Sequence, residues 1–209
     1  MKRKFKTLST LSVVSLLLLG NITNVCANDF SNIVVSSNIN EISNKYNLKD
    51  IDISELPEGI IPIEVDANNL ESELLKFNNL IDSNIKNKSI LPNVDIPTTY
   101  AAGTFTQKFS HSFGFFKSNL TANITQDNKK ITRVSTSSLT LSGFTLSYDI
   151  SNINTNSYID SFGKNAYVDV DYQLDYYLLV DGGIKLFSRD ISQGFTYTYD
   201  KGITSYYVN

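Results

Sequence analysis

Ala166-Tyr167-Val168-Asp169-Val170-Asp171-Tyr172-Gln173-Leu174-Asp175-Tyr176-Tyr177-Leu178-Leu179-Val180 is the stretch whose reading decides the fold. Its even positions are all apolar or aromatic, while its odd positions include Asp169, Asp171, Gln173 and Asp175. Successive side chains of a strand point to opposite faces, so this period of two marks a long β-strand with one dry and one wet face. A helix would scatter the aspartates around its whole circumference.

The sequence on either side supplies partners for this strand. Downstream, Asp181-Gly182-Gly183 read as a three-residue loop pairs Val180 with Ile184, Leu178 with Leu186, Tyr177 with Phe187 and Asp175 with Arg189. Both faces then match, and each matched cross-strand pair contributes roughly 0.2–1 kcal/mol. A two-residue loop would set Leu178 beside Lys185 and mix the faces, so the three-residue register is predicted. The last hairpin, around Asp200-Lys201-Gly202, is read likewise: Tyr199 meets Ile203, Tyr197 meets Ser205 and Phe195 meets Tyr207. Upstream, Phe105, Phe109, His111, Phe113 and Phe115 share one parity, with a bend at Gly114. Leu120, Ala122 and Ile124 follow. A loop at Asp127-Asn128-Lys129 then sets Ile124 against Thr132 and Ala122 against Val134. Phe144, Leu146, Tyr148 and Ile150 share a face, and Ser151–Asn165 is expected to be polar and looped, with a weak strand at Tyr158-Ile159. Eight or nine antiparallel strands between Thr104 and Asn209, each with one dry face, predict a mainly β protein, an antiparallel β-sandwich, in preference to a closed barrel.

The first half reads differently. Residues 28–58 are rich in Asn and Ser, which leaves open a short helix through Ile39, Ile42 and Tyr46 or a mobile segment. Leu56-Pro57-Glu58-Gly59 is a turn signal, and Ile60–Val65 is a short extended stretch that Pro62 confines to an edge. Asp66 or Asn68 caps a helix near 68–86, with Glu71 in capping-box position to Asn68. Leu70, Leu74, Phe77, Ile81 and Ile85 form its apolar stripe, a docking face. Leu91-Pro92 and Ile96-Pro97 close the region as a linker. The expected organisation is a signal peptide over 1–27, an acidic and partly flexible segment over 28–97, and the sandwich over 98–209.

Lys2, Arg3, Lys4 and Lys6, the apolar run Leu8–Leu19 and the small residues Val25-Cys26-Ala27 have the layout of a secretory signal peptide cleaved near Ala27. Cys26 lacks the residues that precede a lipoprotein cysteine and leaves with the leader, so neither disulfides nor thiol catalysis are expected afterwards. The chain has 18 Lys+Arg and 21 Asp+Glu; losing the four leader cations leaves 14 against 21, a net charge of −7. No basic stripe for nucleic acid and no polybasic membrane cluster is present. The Asn, Ile, Lys and Ser enrichment suits a low-GC Gram-positive secretor.

His111, the sole histidine, lies among phenylalanines with no G-x-S-x-G elbow, and reads as an imidazole in or at the rim of the core. One histidine does not build a zinc site of the usual kind. Asp169 and Asp171 can share a Ca²⁺ with a loop carbonyl, or simply keep a long strand soluble. A hydrolase would need two buried acids of opposed pKa, whereas these aspartates face water. No catalytic residue, metal or cofactor is therefore expected. Tyrosines remain. Tyr167, Tyr177, Tyr197, Tyr199, Tyr206 and Tyr207 crowd the last strands, and at least one ring of each adjacent pair, Tyr176-Tyr177 and Tyr206-Tyr207, is expected to be exposed. Exposed tyrosine offers a flat apolar surface with a polar tip for a protein or glycan, although tyrosine is also an ordinary strand former.

The layout of leader, acidic helix-bearing segment with Leu56-Pro57-Glu58-Gly59-Ile60, and Tyr-rich β-domain resembles uncharacterised secreted β-rich proteins of low-GC Gram-positive bacteria. That resemblance implies no site residues. The expectation is a secreted non-enzymatic binding protein using these six tyrosines. The alternative is a membrane-active toxin or bacteriocin-like protein whose acidic pro-segment is cleaved near Pro97–Gly103 and whose strands around Leu120–Leu141 insert. Membrane contact belongs to that alternative alone.

Overall fold

The computed structural model describes residues 30–85 and 102–209. Along the chain these form α1 (Phe30–Tyr46), β1 (Lys49–Ile51), β2 (Ile63–Glu64), α2 (Leu70–Ile85), β3 (Gly103–Ser112), β4 (Phe116–Asp127), β5 (Lys130–Gly143), β6 (Tyr148–Ile159), β7 (Asn165–Val180), β8 (Gly183–Thr198) and β9 (Gly202–Val208). The expected leader and the proline-punctuated linker lie outside the described residues.

The stretch that decided the reading is β7, and with β8 it forms the centre of a six-stranded sheet. β6 and β2 lie along β7, while β9 and β1 lie along β8. All these pairings are antiparallel except β2 with β7. β3, β4 and β5 make a second, antiparallel sheet. The two pack as a sandwich. The even residues of β7 from Ala166 to Val180 are all buried, and Phe116, Leu120, Ala122 and Ile124 of β4 are buried with them. Rings touch between the sheets, Phe105 with Tyr197 at 5.6 Å and Phe109 with Phe195 at 6.3 Å.

The smaller sheet leaves one end of the β7–β8 inward face to α2. Leu70, Leu74, Phe77 and Ile81 are buried, as the stripe predicts. Asp66 is the cap residue: its carboxylate accepts from the Asn68 N–H at 2.8 Å, heading a 3-10 turn that runs into α2. Glu71 instead pairs with Lys45 of α1 at 2.6 Å. Phe77 begins a pile of rings that joins the helix to both sheets. Centroids lie 4.8 Å apart for Phe77–Tyr176, 4.9 Å for Tyr176–Tyr148, 4.9 Å for Tyr148–Phe116 and 5.2 Å for Phe116–Phe113, all stacked. Burial pushes the Tyr148 phenol up to about 12 and raises that of Tyr176, whose hydroxyl donates to Glu73 of α2 at 3.2 Å.

Three strand registers differ from expectation. The β7–β8 loop has two residues, Asp181 (φ 48°) and Gly182 (φ 77°), so Val180 meets Gly183, Leu178 meets Lys185 and Asp175 meets Ser188. Two successive positive φ values are the type I′ geometry whose twist matches the flanking strands, and Asp-Gly is among its favoured sequences. Face-matching failed because the charges it placed outward have partners inward. Arg189 donates to Asn78 and Asp82 of α2, and Lys185 reaches Asp50 of β1 at 2.6 Å. The β4–β5 loop is likewise two residues, Asn128 and Lys129, and with bulges it sets Ile124 against Val134 and Ala122 against Thr136. In β8–β9 a bulge between Thr196 and Tyr197 sets Tyr197 against Ile203, Phe195 against Tyr206 and Gly194 against Tyr207.

The region before residue 86 is built into this architecture. α1 is a helix from Phe30 to Tyr46, and its Tyr46 ring meets Phe187 of β8 edge-on at 6.3 Å. Of the extended stretch Ile60–Val65, Ile63–Glu64 forms β2, at an edge as Pro62 requires. Residues 52–62 pass from the β8 side of the hairpin to its β7 side.

Candidate functional site on the outward face of the larger sheet

Because side chains alternate, the face of β6–β9 turned away from the smaller sheet carries three rows. Tyr158, Tyr167, Thr196 and Ser205 form the first, and Asn156, Asp169, Gly194 and Tyr207 the second. Asn154, Asp171, Ser192 and Asn209 form the third, where Ser192 and Asn209 exchange backbone hydrogen bonds. Tyr158 and Tyr167 stack at 4.7 Å with 16° between planes, and Tyr158 is 50% exposed. Tyr207 crosses β8 above Gly194, and its hydroxyl donates to Asp169 at 2.9 Å. Only glycine permits that crossing: a Cβ at Gly194 would lie 2.5 Å from Asp169 Oδ1 and 2.6 Å from Tyr207 Cε1. The Tyr207 phenol is raised first by burial, then by its bond to Asp169 and the charges of Asp169 and Asp171. Asp171 accepts from Ser192, and Asp190 accepts from Gln173 at 3.0 Å.

The six predicted tyrosines do not share one surface. Tyr167 and Tyr207 take their places on this face. Tyr206 points inward, its ring 4.5 Å from Phe109, because the β9 bulge turns the second ring of the pair outward instead. Tyr197 is fully buried between the sheets, its hydroxyl accepting from Gln126 at 2.9 Å. Tyr199 packs partly against the core with Lys164 5.2 Å from its ring centre. Tyr177 points outward by parity yet is only 5% exposed, and burial pushes its phenol up to about 12. Both rings of the Tyr176-Tyr177 pair are therefore buried, contrary to expectation: parity fixes the face of a ring, not whether that face is covered. Tyr158, expected only as part of a weak strand in a looped stretch, lies instead in the continuous strand β6, whose pairing with β7 resumes after a bulge at Ser151–Asn154, and is the most exposed ring here. A signal was present, since hairpin pairing across residues 160–164 brings it opposite Tyr167.

Other chemistry is dispersed. Asp149 and Asp175 are cross-strand partners on β6 and β7, Asp175 buried and accepting from Ser188. Among the described residues no group of three His, Cys, Asp or Glu side chains forms a metal site. An open cavity of about 400 Å³ lies where Gly59 and Ile60 approach Leu141, Leu146 and Tyr148. Beside it the chain presents a second kind of surface. Ile61, Phe115, Phe144 and Leu146 are each about half exposed or more, with Phe115 and Phe144 in edge contact at 6.3 Å and the Ile61 N–H bonded to the Leu146 carbonyl.

His111 sits on the inward face opposite Ser118, edge-on to Phe113 at 4.8 Å, with its buried Nε2 unpartnered. Burial lowers its pKa below the usual 6.5. The unfolded chain therefore binds the proton more readily. This contribution to stability is complete above about pH 6.5 and is lost as pH falls toward the folded-state value. Urea midpoints measured between pH 7.5 and 5 are expected to fall more steeply for the native sequence than for His111→Gln. Parallel slopes would show that the imidazole is not buried uncharged.

No family model matches the chain, and no curated protein matches it. Among solved structures, a hypothetical protein from Listeria monocytogenes EGD-e, a low-GC Gram-positive bacterium, is similar at 17% identity and a TM-score of 0.30. The match spans 56% of this chain and 85% of that one.

Proposed function

We propose that this chain is a secreted, non-enzymatic binding protein that engages a protein or glycan through the outward face of β6–β9. The observation that carries this reading is the solvent-exposed Tyr158–Tyr167 stack beside the Tyr207–Asp169 bond. Two parallel rings, Tyr158 half exposed and Tyr167 partly so, offer apolar area at little entropic cost, and the neighbouring carboxylates and amides supply orientation. A glycan array and a peptide array read with native protein and with Tyr158→Ala test it. For any ligand that binds, the substitution is expected to weaken affinity at least tenfold, about 1.4 kcal/mol. Tight ligands indifferent to both Tyr158→Ala and Tyr167→Ala would remove the face from consideration. For export, mass spectrometry of culture medium is expected to find a chain beginning near Asn28.

Membrane contact is the second reading, favoured by the apolar end of the sandwich. Residues 59–63, 113–116 and 143–148 contain no charge, and Ile61, Phe115, Phe144 and Leu146 project from them. Exposed apolar patches of this kind mark protein or membrane contacts. Release of a pro-segment fits less well, because cleavage near Pro97 would remove β1, β2 and α2 and open the ring pile. Dye leakage from liposomes, compared between native protein and Phe144→Ser, separates the two readings.

A further inference from the structure

We infer that the occupant of the β6–β9 outward face is an extended cationic peptide segment with Lys or Arg at alternate positions. This rests on the binding role proposed for that face and assigns it a ligand class.

Charge carries the argument first. Asp169, Asp171 and Asp190 lie on the face, yet residues 154–158, 167–173, 190–196 and 205–209 include no Lys or Arg. Each aspartate is bonded to a neutral donor: Tyr207, Ser192 and Gln173 respectively. The ion pairs among the described residues, Lys45–Glu71, Lys76–Glu73, Lys185–Asp50 and Arg189–Asp82, all lie elsewhere. The field of this face is thus left uncompensated by the protein itself, and such a field attracts a partner of opposite sign while repelling a second copy of the same face.

Spacing and surface narrow the class. Asp169 and Asp171 are two residues apart on one strand, so their side chains emerge about 6.7 Å apart. An extended peptide carries its alternate side chains at the same repeat, so successive basic groups can meet successive carboxylates. The Tyr158–Tyr167 pair lies one row further along, where a third cation meets ring faces. A neutral sugar would use the rings but leave the carboxylates without counter-charge.

The test uses the full secreted chain and a fluorescein-labelled peptide of five Lys-Thr repeats, read by anisotropy, with a Glu-Thr peptide and chitohexaose as comparators. The Lys-Thr peptide is expected to bind, at least tenfold more weakly in 500 mM than in 50 mM salt and at least tenfold more weakly to Asp171→Asn/Asp190→Asn. Both aspartates are exposed, so the double variant keeps its melting temperature within a few degrees, checked by circular dichroism. Tyr158→Ala is expected to weaken binding at least tenfold. If Tyr158→Ala weakens binding while the double variant does not, the cationic class is overturned and the face survives. The same holds if chitohexaose binds through Tyr158 and the Lys-Thr peptide does not. If neither probe responds to any of these substitutions, the inference and the binding face fall together.

Discussion

Phe77→Ala is expected to destabilise the protein by about 3–5 kcal/mol, the largest effect of any single substitution considered. Phe77 is buried on α2 and contacts Tyr176 at 4.8 Å, Phe187 at 5.7 Å and Tyr148 at 5.8 Å. Truncation removes its transfer free energy and leaves a cavity at the head of a ring pile that neighbours fixed by strand pairing cannot easily fill. The helix also loses the contact that seats it on the larger sheet, leaving Leu70, Leu74 and Ile81 with the Arg189 bonds to Asn78 and Asp82 to hold it. Urea unfolding measures the loss, and hydrogen exchange is expected to show α2 amides losing protection before those of β7 and β8. Phe77→Leu keeps most of the volume and costs about 1–1.5 kcal/mol. A cost below about 1 kcal/mol for the alanine variant would mean that the helix does not depend on the pile.

Gly194→Ala is the second. Its φ is unremarkable, and the difficulty is space: the new methyl would lie 2.5 Å from Asp169 Oδ1, 2.6 Å from Tyr207 Cε1 and 2.8 Å from the Val168 carbonyl oxygen. Tyr207 can swing away, but the carbonyl belongs to the β7–β8 ladder and cannot. Overpacking of this kind costs about 1–3 kcal/mol. The site changes with it. Once Tyr207 leaves Asp169, its phenol loses the carboxylate that helps hold it above the ordinary range, and spectrophotometric titration is expected to show one tyrosine ionising at lower pH. Any ligand of the outward face is expected to bind at least tenfold more weakly, matching Tyr158→Ala. Unchanged titration together with unchanged ligand affinity would contradict the crossing of Tyr207 over β8.

How much of this was legible varies by element. The helix near 68–86 was read correctly because four- and three-residue spacings from Leu70 to Ile81 report a single face, whatever that face packs against. The larger hairpin was read correctly in the parity of β7 and wrongly in its register, and that slip of one residue put every β8 side chain on the opposite face. Local turn chemistry at Asp181-Gly182 favoured two residues, and the face-matching rule that overrode it assumed that Lys185 and Arg189 must point to water. Both point inward, towards carboxylates contributed by residues more than 100 positions earlier, Asp50 and Asp82. Of the predicted tyrosine surface, Tyr167 and Tyr207 remain, Tyr197 and Tyr206 face inward, Tyr177 is covered, and Tyr199 rests against the core.

By itself the sequence determined the mainly β fold, the dry and wet faces of β7, and the stripe of α2. These follow from periods of two and about 3.6, which the backbone imposes on any chain. The tertiary structure decided the rest. It used a bulge in β9 to turn Tyr207 outward, placed Tyr158 over Tyr167, and buried Asp175 and Tyr177 on a face that parity marks as outward. The physical reason is range: alternation is a property of neighbours along the chain, whereas exposure and charge pairing depend on which distant segment arrives to cover each face.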